Sequence, residues 1–229
     1  MKLAALFSGG KDSTFAIYKE KSRGHVIACA VTILPKSDES TFLHYPNIHM
    51  TKLQVQSMHI QHLFSQTDSN DVEIEMREIE KLLVKAKKDF GIGGLVHGGI
   101  LSEFQKNHFE TICNKLNLKI FSPLWKVDQK EYMKSLIESK FRFIITSVSS
   151  AGLEDSWLGK EITVDEVEKL EQLAKKYGFN LSFEGGEAET LVLDCPLFSS
   201  PIKIIKSQKI WDGYRGRFEI TDASLDKQC

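Results

Sequence analysis

The chain has no apolar run near the roughly 18 to 20 residues that cross a bilayer, no Cys-x-x-Cys pair, no large basic block, and no internal repeat or low-complexity segment. Each absence removes a class of function. No membrane span is expected, and the apolar stretch after Lys2 is too short for a secretory signal, so the protein is expected in the cytoplasm. The four cysteines (Cys29, Cys113, Cys195, Cys229) lie far apart, which points away from a zinc site or redox pair and toward free, mostly buried thiols. A formal net charge of -1 argues against a nucleic-acid surface as the main feature, because Lys/Arg neutralisation of phosphates dominates such affinity. Seven histidines are scattered without a His-Glu-x-x-His or similar metal spacing.

What is present is concentrated at the start of the chain. An apolar run, Leu3 to Phe7, ends in Ser8-Gly9-Gly10-Lys11-Asp12-Ser13, and an amphipathic segment follows. Strand, glycine turn and helix start make an anion site. Glycines let the backbone approach a ligand closely, and a helix N-terminus offers unpaired N–H groups and a positive dipole end. Phosphate is the natural occupant. Lys11 adds a full charge, and Ser8 and Ser13 add hydroxyls. Asp12 beside a polyphosphate makes sense with Mg²⁺ between them, although a carboxylate at a helix start also complements the dipole. The spacing is neither the Walker P-loop nor Gly-x-Gly-x-x-Gly. The bland alternative is an ordinary strand-to-helix turn.

The order of elements predicts an α/β protein. Leu3–Phe7 and His25–Leu34 read as buried strands around a helix over Lys11–Arg23. A long polar loop, Pro35–Met50, precedes a helix from Thr51, a plausible N-cap, to about His59. Asp71–Phe90 is amphipathic and is stopped by Gly91-Ile92-Gly93-Gly94. Leu95–His97, Ser102–Leu116 and Leu118–Phe121 continue the β-α repeat, which implies a parallel sheet. The Ser-Gly-Gly loop, the Pro35–Met50 loop and Gly98-Gly99 fall at the carboxyl edge of that sheet, where ligands bind. A boundary is placed near Pro123, giving a nucleotide-binding domain over 1–123 and a smaller α/β substrate domain over 124–229. The latter reads as helices over Asp128–Ser139 and Thr163–Tyr177, a strand over Arg142–Val148, and strand-like sequence from Asn180 onward.

A second cluster, Glu184-Gly185-Gly186-Glu187-Ala188-Glu189-Thr190, packs three carboxylates around a glycine pair. Adjacent carboxylates need a cation, a donor network or full solvation. The cluster reads either as a metal- or amine-binding loop facing the phosphate site or as a solvated hairpin tip. His97 ends a strand at the ligand edge but reads first as a satisfied structural histidine. Ser102 and Gln105 open the next helix; N-capping explains Ser102 equally well. Trp157 lies in a polar loop, where ordinary packing is favoured over a partner contact.

Ser-Gly-Gly-x-Asp-Ser after an N-terminal strand resembles the loop of the PP-loop ATPase superfamily, whose Rossmann-like, adenine nucleotide alpha hydrolase-like fold this implies. Further motifs extend the match. They include His44-Tyr45-Pro46-Asn47, Ser102-x-Phe104-Gln105-Lys106, Pro123-Leu124-Trp125, the stretch Gly152–Gly159, Glu184 to Phe198, and Trp211-Asp212-Gly213. Together they resemble the diphthine–ammonia ligases. The resemblance implies ATP and Mg²⁺ as cofactors, ammonium as nitrogen donor and translation elongation factor 2 as protein substrate, with adenylation of the diphthine carboxylate. It implies ATP contacts from Ser8 to Ser13 and from Gly98 and Gly99. It implies substrate contacts from His44, Asn47, Ser102, Gln105, Glu184, Gly185, Gly186 and Glu187. Lys11, Asp12, Glu187 and Glu189 are the expected catalytic set, with Glu187 or Glu189 holding ammonium and accepting its proton. No glutaminase signature is present, which fits free ammonium. Self-association is left open. Three positions depart from the family pattern: Phe183 for a frequent Gly, Ala188 for an aromatic, and His108 for Arg. The competing readings are a PP-loop enzyme that modifies tRNA and a non-catalytic nucleotide-binding module.

Overall fold

The computed structural model describes residues 1–37 and 47–226. Two sheets are present. The first is parallel and holds β1 (Lys2–Leu6), β2 (Val26–Leu34), β3 (Gln61–Gln66), β4 (Gly94–Val96) and β5 (Lys119–Phe121) in the order β3-β2-β1-β4-β5. Helices α1 (Lys11–Ser22), α2 (Thr51–Met58), α3 (Val72–Phe90) and α4 (Glu103–Lys115) connect its strands. The second part carries α5 (Gln129–Glu138), β6 (Arg142–Val148), α6 (Val164–Tyr177), β7 (Ala188–Asp194), β8 (Ile202–Trp211) and β9 (Gly216–Leu225). Its four strands form an antiparallel sheet in the order β7-β6-β9-β8. The expected α/β class, a parallel sheet followed by a smaller unit, is what forms.

Local chemistry explains the helix ends. Asp71 caps α3 by accepting from the amides of Glu73 and Ile74, and Gly91 closes it at φ 67. Ser102 caps α4 by accepting from Gln105 N. Thr51 is not an N-cap. A 3-10 turn over Ile48–Met50 runs straight into α2, and the Thr51 hydroxyl donates back to Ile48 O at 2.5 Å. The sequence contains no signal for β3. It is an edge strand with one neighbour, so Leu63 is its one fully buried residue and its remaining residues stay polar or half-exposed. Trp157 is buried in a 3-10 turn, as packing requires. Cys29, Cys113 and Cys195 are buried free thiols; burial pushes Cys29 and Cys195 up to about 12. No helix among the described residues is long and apolar enough to cross a membrane.

The apolar core is shared by both sheets. Leu3, Phe15 and Ile17 from the first part pack with Tyr132, Phe143, Phe183 and Val192 from the second. Phe15 meets Phe141 edge-on, ring centroids 5.1 Å apart. A second cluster joins the other face of the parallel sheet to α3 and α4 through Val31, Met76, Leu83 and Ile112.

One face of α2 carries polar groups into this interface. Thr51, Gln54 and Ser57 are fully buried. The Gln54 amide donates to Gly9 O and to Val192 O, both at 2.8 Å. The Ser57 hydroxyl donates to Ser200 O at 2.6 Å and accepts from Ser200 N at 3.0 Å. A buried carbonyl stripped of its donor costs about 1–3 kcal/mol. Gln54→Leu should therefore lower the unfolding free energy by about 1–3 kcal/mol in urea titrations. A midpoint equal to that of the wild type would refute this bridging role.

Candidate active site

The strand order reverses between β1 and β4, and open α/β sheets bind ligands outside such a reversal. A cavity of about 520 Å³ lies there, within the usual range for small-molecule sites. Its floor is the loop from Ser8 to Ser13. Gly9 adopts φ +81, and a Cβ at that position would stand 2.3 Å from Gln54 Oε1, so both conformation and space demand glycine. Gly10 precedes α1 in extended conformation without a side-chain cap. The first-turn amides of α1 have no intrahelical acceptors; Lys11 N is taken by Thr190, and those of Asp12 and Ser13 stand at the cavity without a hydrogen-bond acceptor among the described residues. The hydroxyls of Ser8 and Ser13 lie 3.2 Å apart beside them.

Two other segments press on this loop. From β7, the Thr190 hydroxyl accepts from Lys11 N at 3.1 Å, and Val192 N donates to Gly9 O at 3.0 Å. After β4, Gly98 lies so close that a Cβ would come within 2.6 Å of Asp12 C and Ser13 N. The surroundings of the Ser8–Ser13 loop are thus built by the chain start, the loop after β4, and a strand near position 190.

Lys11 and Asp12 act as a pair. Lys11 is 1% exposed, and its ammonium donates to Ser182 O at 2.6 Å and to both Asp12 oxygens at 3.0 Å. The ammonium also stands over the Phe183 ring at 5.3 Å. Tyr132 OH donates to Asp12 Oδ1 at 2.5 Å. Burial, and next the Asp12 charge, hold the Tyr132 phenol well above its usual value. The separate tasks expected for these residues, Lys11 on phosphate and Asp12 on metal, meet a fold that ties the two charges to each other. Among the described residues no group of three or more His, Cys, Asp or Glu is placed to hold a metal ion.

The acidic loop borders the cavity, with Gly185 and Gly186 exposed to solvent. Glu184 and Glu189 line it together with Gly185 and Gly186. Glu187 does not line it. Its Oε1 accepts from Asn180 N and Nδ2, and its Oε2 from Gly185 N, so this carboxylate clamps the loop. The departure at Phe183 has a physical reason. Its φ of 63 is a conformation that glycine adopts freely and that costs other residues about 1–2 kcal/mol. Here a buried ring against Lys11 and Phe179 offsets that cost.

Ser8, Gly10, Lys11, Asp12, Ser13, Gly98, Gly99, Ser102 and Gln105 also line the cavity. Gly9 lies behind it, against Gln54. Asn47 is placed elsewhere. It is buried and links the chain to β9, donating to Phe218 O and accepting from Ile220 N, each at 2.8 Å. His44 falls outside the described residues. Sequence reading missed the roles of Thr190, Tyr132 and Gln54, and the apolar wall of Val31, Ile33, Ile48 and Ile79. Tyr132 and Gln54 look like ordinary helix residues in one dimension, and no local motif marks them.

His97 lines the cavity, and both of its ring nitrogens have partners within the protein. Its Nδ1 accepts from Gly99 N at 3.1 Å, and its Nε2 lies 2.6 Å from Ser122 Oγ. An amide donor on Nδ1 leaves the proton on Nε2, donated to Ser122. Burial, and next the Lys106 charge, push this histidine down to about 4.

Residues 1–120 match the diphthamide synthase N-terminal domain, and residues 128–225 match the diphthamide synthase C-terminal domain. Diphthine–ammonia ligase of Mus musculus is 34% identical over 232 residues, covering 92% of this chain and 85% of that protein. Diphthine–ammonia ligase of Homo sapiens is 33% identical, with the same coverages. The namesake in Saccharomyces cerevisiae is 30% identical over 93% of this chain but only 36% of its own greater length. Among solved structures, a predicted subunit of tRNA methyltransferase from Methanocaldococcus jannaschii aligns with a TM-score of 0.44 at 15% identity, covering 86% of this chain and 98% of that one.

A histidine at about 4 in the fold and 6.5 when unfolded binds fewer protons in the native state. Stability therefore rises with pH between those values, and acidification from 6.5 to 4 removes on the order of 3 kcal/mol from His97. In NMR titrations the His97 ring should keep its neutral shift from pH 8 down to 5. A midpoint near 6.5 would contradict the buried Nε2–H assignment.

Proposed function

The chain belongs to the diphthamide synthase family, an enzyme of the diphthine–ammonia ligase type, and from that premise we propose the reaction in detail. The diphthine carboxylate of translation elongation factor 2 attacks the α-phosphorus of ATP, pyrophosphate leaves, and ammonium converts the acyl-adenylate to the amide with release of AMP. One observation carries this reading. The strand that follows the Glu-Gly-Gly-Glu cluster hydrogen-bonds the anion loop at Lys11 N and Gly9 O, so the acidic loop and the phosphate cradle form one site.

The division of labour follows from the geometry. The amides of Asp12 and Ser13 and the hydroxyls of Ser8 and Ser13 take the β- and γ-phosphoryls. The apolar residues Val31, Ile33 and Ile79 suit a purine face. Holding both reactants in one cavity replaces a bimolecular encounter and lowers the barrier. Fixed dipoles at the helix start stabilise charge on the departing pyrophosphate. Lys11 contributes through Asp12 and the loop, since its ammonium already meets three oxygens. Asp12 is the carboxylate that would meet Mg²⁺, whose chemistry there is phosphate charge neutralisation. With Lys11 and Tyr132 already on Asp12, the site fits a cation carried in on the nucleotide rather than one caged by protein alone.

Elongation factor 2 carrying diphthine, incubated with this protein, ATP and ammonium, should yield AMP and pyrophosphate in equal amounts and a factor with the mass of the amide. ADP and orthophosphate, or an unchanged factor, would reject the assignment. Gly98→Ala should weaken ATP binding by about tenfold or more in calorimetry, because the added methyl overpacks the start of α1. Unaltered affinity would remove the loop after β4 from the nucleotide site.

A further inference from the structure

Glu184 differs from Glu187 and Asp12 in how its oxygens are held. Its Oε1 accepts backbone N–H groups from Ile100 at 2.8 Å and Leu101 at 3.1 Å, which fixes the side chain on the cavity wall. Its Oε2 takes no hydrogen bond among the described residues. Both oxygens of Glu187 are occupied by loop donors, and Asp12 is held by Lys11 and Tyr132. Glu184 is thus anchored through one oxygen and open at the other. It also stands within reach of the Asp12 charge. Burial raises its pKa.

Building on the reaction proposed above, we infer that Glu184 receives the ammonium ion and takes its proton before amide formation. An N–H bond of ammonium breaks, the proton goes to Glu184 Oε2, and the electron pair stays on nitrogen as ammonia. That pair forms the C–N bond to the acyl carbon while the C–O bond to AMP breaks, its electrons leaving on the AMP phosphate. The second proton lost by nitrogen passes to water, and Glu184 returns its own to solvent. This assigns to Glu184 the role that sequence reading gave to Glu187 or Glu189.

Hydroxylamine provides the test, because it is uncharged near neutral pH and attacks without prior deprotonation. Glu184→Gln keeps an acceptor for Ile100 and Leu101 but takes up no proton. With diphthine-bearing elongation factor 2, this variant should lose about 100-fold or more of its amide formation from ammonium. Hydroxamate formation from hydroxylamine and diphthine-dependent ATP–pyrophosphate exchange should fall far less, so that the ratio of hydroxamate to amide rises by about 10-fold or more. Glu184→Asp, which keeps the charge but retracts it, should show a smaller change in the same nucleophile ratio, and it decides the matter if the glutamine variant does not fold. Equal loss with both nucleophiles, or no loss with either, overturns the inference. Failure of the underlying reaction is distinct: wild-type protein would then show no diphthine-dependent exchange, and the inference would fall with it.

Discussion

The Gly9 carbonyl is gripped from two sides, by the Gln54 amide of α2 and by the Val192 amide of β7. Everything at the site depends on this junction. It holds the anion loop in the positive-φ turn that only glycine enters easily, and it welds the parallel sheet to the antiparallel one. The cavity belongs to neither sheet alone. Its floor comes from the chain start, one wall from the loop after β4, and another from the acidic loop and β7. A shared apolar core explains why the weld is stable, since Phe15, Phe143 and Val192 bury one continuous surface.

Charge is managed in the same economical way. Burying a lysine costs several kcal/mol unless acceptors replace its water. Lys11 finds the Ser182 carbonyl, the Asp12 carboxylate and the faces of Tyr132 and Phe183. The pair leaves the backbone amides and serine hydroxyls of the loop, not the lysine, as the donors beside the cavity. It also leaves Glu184 as a carboxylate beside the cavity with no lysine bound to it by a salt bridge among the described residues. Phe183 illustrates how a locally unfavourable backbone persists: the strained φ is held because its ring completes the environment of the lysine.

Much of this was legible in one dimension. The Ser-Gly-Gly loop, the β-α repeat, the helix stop at Gly91 and the strand-like sequence from Asn180 onward follow from periodicity and turn chemistry, which are local. The edge strand β3 was not, because with one neighbour it needs little apolar sequence. Thr51 was misjudged because an N-cap depends on what precedes it, and here a 3-10 turn does. Asn47 was misplaced because its motif reveals a fixed role but not that β9, more than 170 residues away, uses both of its amide atoms.

By itself the sequence determined the anion loop, the α/β class, the three carboxylates near one glycine pair, and the family. Those are set by residue type and spacing along the chain. Only the tertiary structure decided how the carboxylates divide their work. Glu187 clamps its own loop, Asp12 pairs with Lys11 and Tyr132, and Glu184 stays open on one side, because donors from distant segments reach each of them differently. Hydrogen-bond partners brought together by folding carry no signature in the local sequence, and at this site they give three carboxylates different surroundings.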